Sequence, residues 1–151
     1  MSHISPIPGG MRAGLVITIK GEVLPGAKRF RVDLQTGKSR DGDIQFHSGI
    51  RLDEGVIVRN NRSNDVWHAE DRYGTLNIHQ GRAFWIEISV EVDKYVMYID
   101  GKFFCIFPHR MSMSQVTHLS VYGDCLVESV TFKIRESSEQ RFVTTTTEYV
   151  Y

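Results

Sequence analysis

Cysteine, proline, net charge and long apolar runs are all scarce in this chain. Two cysteines, Cys105 and Cys125, among 151 residues cannot build the cross-linked framework of a small secreted scaffold, and they fit a reduced compartment. Four prolines leave nearly every residue able to donate its N–H to a sheet. Lys+Arg and Asp+Glu number 18 each, for a net charge of 0, and no block of like charge stands out. That excludes a sequence-independent hold on nucleic acid or on an anionic membrane. No apolar run approaches the roughly 20 residues that span a bilayer, so no membrane insertion is expected. The opening MSHISPIPGGMRAG lacks the basic segment and apolar stretch of a secretory signal. No 3.6-residue apolar period lasts three turns, and Arg110 to Gln115 has room for one short helical turn. His3, His47, His68, His79, His109 and His118 include no close ligand pair, so neither metal nor cofactor is expected.

What the chain has instead is alternation. Leu15-Val16-Ile17-Thr18-Ile19 reads as a strand, stopped by Gly21 and then Pro25-Gly26. Phe30, Val32 and Leu34 alternate with Arg29, Arg31 and Asp33, giving one buried and one wet face. Phe84, Ile86, Ile88, Val90 and Val92 alternate with Trp85, Glu87, Ser89 and Glu91. Tyr95 to Ile99 and Lys102 to Phe107 flank Asp100-Gly101, a type I′ hairpin signal. Leu119, Val121, Leu126, Val130 and Phe132 supply the last strands. Many short strands at regular spacing, each with one apolar face, predict an all-β fold of two packed sheets. The length suits one domain with a sizeable core, without internal repeats. Residues 1–14 lead into a domain spanning 15–135. Residues 136–151 form a polar, Thr-rich tail in which Val143, Tyr149 and Val150 offer an added edge strand, or a linker to a further domain.

Polar groups concentrate between Asp43 and Arg72. Ile44, Phe46 and Ser48 share one strand face, and Gln45, His47, Gly49 and Arg51 the other. Val56 to Asn60 reads as the neighbouring strand, Asn61 to Asp65 as a turn cluster, and Trp67, Glu70 and Arg72 follow. Trp67 lies an odd number of residues from Glu70, so the three share a site only across a bend. Arg and Glu can serve vicinal hydroxyls while holding each other in place, and an indole can stack on the C–H patch of a sugar ring. Singly, each residue has a plainer role. His47 reads as a structural histidine, the Arg and Glu residues as a surface charge ladder, Trp67 as core and Asn60 as a turn residue.

In order, these residues resemble the galectins, the β-galactoside-binding lectins. That family's pattern is H-x-N-x-R, then V-x-N, then W-x-x-E-x-R, and this chain has His47, Arg51, Val58, Asn60, Trp67, Glu70 and Arg72 in those places. PIPGGMRAGLVITIKGEV, FWIEISVEVDKYVMYIDGKFFCIFPHR and HLSVYGDCLVESVTFKI extend the likeness over roughly residues 5 to 135. The resemblance implies a jelly-roll sandwich of two antiparallel sheets, with a β-galactoside such as lactose or N-acetyllactosamine on the concave sheet. It implies sugar contacts from His47, Arg51, Asn60, Trp67, Glu70 and Arg72. It further implies synthesis in the cytoplasm with export by a non-classical route, and a homodimer built through the N-terminal segment and the closing strand, Cys125 to Ile134. Cytoplasmic synthesis also suits the sequon Asn61-Arg62-Ser63 beside the site.

The chain departs from the pattern at Gly49, where the family has an Asn that contacts the axial galactose hydroxyl. Losing one hydrogen bond to a neutral ligand costs about 0.5–1.5 kcal/mol, a several-fold to tenfold loss of affinity. A water could fill the space, or a ligand substituent could enter it. Two readings stay open: a β-galactoside lectin with weakened or altered preference, and a galectin-like interaction module without sugar binding. An enzyme is not expected. Glycoside hydrolysis usually needs two flanking carboxylates, and only Glu70 is predicted on this face, between arginines that favour its ionised form.

Overall fold

The computed structural model describes residues 2–135 and 146–150. The strands are β1 (Ser2–Pro6), β2 (Leu15–Val23), β3 (Arg29–Gln35), β4 (Ile44–Arg51), β5 (Val56–Ser63) and β6 (Val66–Trp67). They continue as β7 (Ala83–Val90), β8 (Lys94–Ile99), β9 (Lys102–Pro108), β10 (His118–Gly123), β11 (Cys125–Ile134) and β12 (Thr146–Val150). Two six-stranded sheets result, in the orders β1-β10-β3-β4-β5-β6 and β12-β11-β2-β7-β8-β9. Every pairing is antiparallel. The fold is therefore the expected all-β sandwich of jelly-roll type. One 3₁₀ turn, Met113–Gln115, falls within the stretch where a single helical turn was expected.

The core lies where the alternation puts it. Leu15, Ile17, Ile19, Ile86 and Ile88 from one sheet meet Phe30, Val32, Leu34, Phe46 and Ile50 from the other. The Phe46 ring stacks on Tyr95 at 4.9 Å and on Phe107 at 4.8 Å. Gly21 is required by close approach, because a Cβ there would run into the Leu126 carbonyl and the Phe84 ring. Asp100 and Gly101 have φ of 51° and 81°, as a type I′ hairpin demands. Cys105 and Cys125 are free and buried, and burial pushes each thiol up to about 11.

Several expectations are corrected. β5 runs through Ser63, and the turn shrinks to Asn64 and Asp65, with φ of 51° and 65°. Side-chain anchors hold the added residues in the sheet. Arg110 donates to Asn61 Oδ1 at 3.1 Å, and Arg62 donates to the carbonyls of Arg40 and Gly42. Asn61 is consequently buried, and a glycan there is incompatible with the fold. Val92 is 80% exposed because β7 ends at Val90 and the chain turns, with Glu91 N–H donating to Lys94 O. Leu126 points outward, opposite to the buried Cys125 and Val127 beside it. Asp33, read as lying on a wet face, is fully buried.

The tail contributes β12, which pairs with β11, and Tyr149 packs edge-on against Phe132 at 6.0 Å. Val143 lies outside the described residues. The closing strand β11 is thus interior to its sheet, between β12 and β2, whereas β1 is an edge of the other sheet. Among the described residues, no helix is long and apolar enough to cross a membrane.

Candidate functional site

Strand register assembles the site in rows across β3, β4 and β5. On β4, His47 pairs with Asp33 and Asn60 on its two sides, Gly49 with Arg31 and Val58, and Arg51 with Arg29 and Val56. Cross-strand partners project from the same face, so Asp33 and Arg31 join the residues expected from β4.

His47 is held by Asp33, its Nδ1 lying 2.7 Å from Asp33 Oδ1. A carboxylate only accepts, so Nδ1 carries the proton and Nε2 is left for a ligand. Asp33 Oδ2 in turn accepts from Arg31 Nε at 2.8 Å and forms an ion pair with Arg31 Nη2 at 2.7 Å. The His47 ring leans over Gly49. A Cβ at position 49 would lie 2.9 Å from Nε2, closer than such contacts allow. A cavity of about 230 Å³ opens here, lined by Arg29, Phe30, Arg31, His47, Gly49, Arg51, Tyr122 and Gly123.

At the other end of the face, guanidiniums and carboxylates alternate in a closed ring. Arg51 pairs with Glu54 at 3.3 Å and Glu70 at 3.6 Å, and Arg72 pairs with Glu54 at 2.6 Å and Glu70 at 2.9 Å. Arg29 adds a contact to Glu54 at 2.6 Å and one to Asp53 at 3.1 Å. The Arg72 hydrogen bond, assisted by Arg51 and Arg29, holds the Glu54 carboxyl below the usual carboxylate range. Glu54 lies in the β4–β5 turn and is a second carboxylate that the sequence reading did not place on this face. An ionised Glu54 suits orientation of guanidiniums rather than proton donation.

Trp67 sits at the end of the short β6, 41% exposed. Its ring is flanked by His47 at 4.9 Å, Arg62 at 5.3 Å and Arg31 at 5.5 Å. The bend required between Trp67 and Glu70 is present. Asp71 forms an isolated bridge with Arg59, and Arg110 donates to Ala69 O at 2.7 Å. These ties bring Glu70 and Arg72 back to the face that carries His47 and Arg51.

Asn60, expected to contact the ligand, is largely engaged within the protein. It is buried, its Nδ2 donates to His68 O at 2.9 Å, and its Oδ1 accepts from Asn61 N–H and from Arg110. One N–H of the amide remains for other use. The sequence reading also did not single out Arg31, Asp33, Glu54, Arg59 and Arg110. The two-residue spacing of Arg31 and Asp33 signalled a shared face. Nothing in the sequence signalled the arrival of Glu54 or Arg110. Among the described residues, no three His, Cys, Asp or Glu side chains could together hold a metal ion.

The face therefore offers fixed donors and acceptors beside an indole, an arrangement that can grip a polyhydroxylated ring. Comparison with known proteins agrees. The family described as galactoside-binding lectin matches residues 2–132. Galectin-4 of Bos taurus is 33% identical over 133 residues, covering 87% of this chain and 40% of that protein. The chain thus spans about two fifths of the length of that relative. Galectin-7 of Homo sapiens is 31% identical over 128 residues, covering 85% of this chain and 94% of that protein. The structure of sheep galectin-11 in complex with glycerol superposes with a TM-score of 0.77 at 26% identity, covering 85% of this chain and 94% of that one. The chain belongs to the galactoside-binding lectins, the galectins, a family of non-enzymatic carbohydrate-binding proteins.

Proposed function

We propose that this chain binds β-galactosides such as lactose and N-acetyllactosamine on its concave sheet, with a preference altered at Gly49. The observation that carries the reading is the closed ring of Arg51, Glu54, Arg72 and Glu70 on the same face as Trp67 and the Asp33-anchored His47. Guanidiniums fixed by carboxylates lose little freedom when they donate to a hydroxyl, so the site is organised before the ligand arrives. In this reading Trp67 stacks on the C–H face of galactose, His47 Nε2 and Arg51 meet its ring hydroxyls, and Glu70 and Arg72 secure the next. Asn60 gives its remaining N–H.

Calorimetric titration with lactose and N-acetyllactosamine tests this. Wild type should bind, and Trp67→Ala and Glu70→Ala should each abolish retention on a galactose resin. Unchanged retention in both variants would overturn the site assignment.

A second reading is a galectin scaffold without sugar affinity that acts through protein contacts. It is favoured by the His47 ring, which occupies the space over Gly49 and closes on Trp67 at 4.9 Å. Absence of heat with both sugars would select it.

The setting belongs to the same proposal: a cytoplasmic protein, exported by a non-classical route. A homodimer would raise avidity from two weak sites without new ligand contacts. β1 and β12, the first and last strands described, each lie at the edge of a sheet, and either edge would serve such pairing.

A further inference from the structure

We infer that the other sheet, β12-β11-β2-β7-β8-β9, carries a second binding site on its outer face, a trough for a neutral oligosaccharide chain, and that the C-terminal strand β12 completes it. Glu148, Thr131, Thr18 and Glu87 are successive cross-strand partners on β12, β11, β2 and β7, so the four side chains project in one row from one face. Ile17 and Ile19 beside Thr18, and Ile86 and Ile88 beside Glu87, are buried, which puts the row on the side away from the core. Three strand spacings, about 14 Å, separate the two carboxylates. The neighbouring rows supply the sides. Lys20 and Trp85 are partners along one of them, and Lys133, opposite Val16, stands along the other. These residues line an open trough of about 670 Å³, within the roughly 300–1,000 Å³ of small-molecule sites.

The donor set selects the ligand. Lys20, Lys133, Glu87 and Glu148 make no ion pair among the described residues, so their hydrogen-bonding capacity is open to a guest. Lys20, Lys133 and Arg135 are set against Glu87 and Glu148 around the trough. Charge of both signs lines it, and no single sign dominates to draw an ion. Carboxylates at the two ends accept from hydroxyls, the ammoniums donate to them, and the Thr18 and Thr131 hydroxyls on the floor do either. Trp85 is 39% exposed and offers an indole to the C–H face of a sugar ring. It is held in place, since its backbone N–H donates to Asp100 Oδ1 at 2.9 Å and Lys20 Nζ lies 5.4 Å from the ring centre. A row four strands wide suits a chain of sugars better than a single one. Nothing in this site is shared with the concave sheet, so the inference stands apart from the galactoside reading.

The chain has two tryptophans, Trp67 on one sheet and Trp85 on the other, so their indole N–H resonances report the two faces separately. The test is an NMR titration of the isotope-labelled whole chain with cellotetraose, β-1,4-mannotetraose and maltotetraose, neutral chains without galactose, in the absence and presence of saturating lactose. At least one should shift the Trp85 indole and the Thr18 and Thr131 amides, saturate at millimolar concentration, leave Trp67 unmoved and bind equally well with lactose present. Trp85→Ala should abolish the amide shifts. Glu148→Gln, an exposed change that leaves the indole in place, should weaken the affinity several-fold. The response of Trp67 to lactose should stay as in wild type in both variants. No shift with any of the three chains would overturn the inference, as would shifts confined to Trp67 or amide shifts that survive Trp85→Ala. Unchanged affinity in Glu148→Gln would overturn the part given to β12. A Trp67 indole that ignores lactose while Trp85 responds to a tetrasaccharide would overturn the galactoside reading alone and support this one.

Discussion

Position 49 and the imidazole of His47 share one space, and this changes what a back-substitution should do. An Asn side chain at Gly49 begins with a Cβ 2.9 Å from His47 Nε2, so the ring must give way by a few tenths of an ångström, which strains its 2.7 Å contact with Asp33 Oδ1. Asp33 is fully buried, and a buried carboxylate that loses a partner costs about 1–3 kcal/mol. Gly49→Asn should therefore lower the urea midpoint and leave lactose affinity no higher than wild type; unfolding curves and calorimetry on the same preparations check both. A second residue-scale feature is Arg59, fully buried. Its Nη1 donates at 2.7 Å to both Ile57 O and Tyr73 O, and its guanidinium lies 4.4 Å from the Tyr73 ring and 4.9 Å from Phe104. Ring faces supply the attraction that a carboxylate would otherwise give.

Among the elements, the segment after β6 has the least regular structure and carries the most site chemistry. Glu70 and Arg72 sit in a stretch tied to β5 by reciprocal backbone bonds between Arg59 and Asp71, at 2.8 and 2.9 Å. From the far side, Arg110 donates to Ala69 O, Asn60 Oδ1 and Asn61 Oδ1 and pairs with Asp71 at 3.4 Å. Removing it strips partners from two buried amides, a loss of about 1–3 kcal/mol, and frees the segment that presents Glu70. Arg110→Ala is expected to weaken lactose binding several-fold although Arg110 belongs to none of the three family motifs. Faster amide hydrogen exchange at Asp71 should accompany the loss. Unchanged exchange with weakened binding would place the effect elsewhere.

For the whole molecule, two carboxyls contribute to the acid limb of stability. Asp124 accepts from the backbone N–H groups of Lys28 and Arg29, which hold its carboxyl below the ordinary value. Glu54 is held low by Arg72 and its neighbours. A carboxyl depressed in the folded state contributes stability that is complete above its unfolded value, near pH 4, and is lost as pH falls through the lower folded value. Urea midpoints should therefore hold level with respect to these groups down to about pH 4 and decline below it. Asp124→Asn should make that decline shallower. An unchanged acid limb in this variant would remove Asp124 from the account.

Much of this protein is written locally. Period-2 alternation placed the strands and their buried faces, because a strand's side chains have only two directions to take. Asp100-Gly101 fixed a hairpin, since both positions need positive φ. Three motifs at fixed spacing marked His47, Arg51, Trp67, Glu70 and Arg72 as one face. The turn cluster after Asn60 misled because a distant anchor, Arg110, holds Asn61 in β5, and Val92 misled because the chain turns at Glu91. What only the tertiary structure decided follows from pairing between segments far apart in the chain. Register across β3, β4 and β5 set Asp33 behind His47 and Arg31 opposite Gly49. A turn folded Glu54 in between Arg51 and Arg72. Packing committed most of the Asn60 amide to the protein itself. A sequence specifies which groups a strand carries, but which group meets which depends on the register between strands, and that is settled by burying both sheets at once.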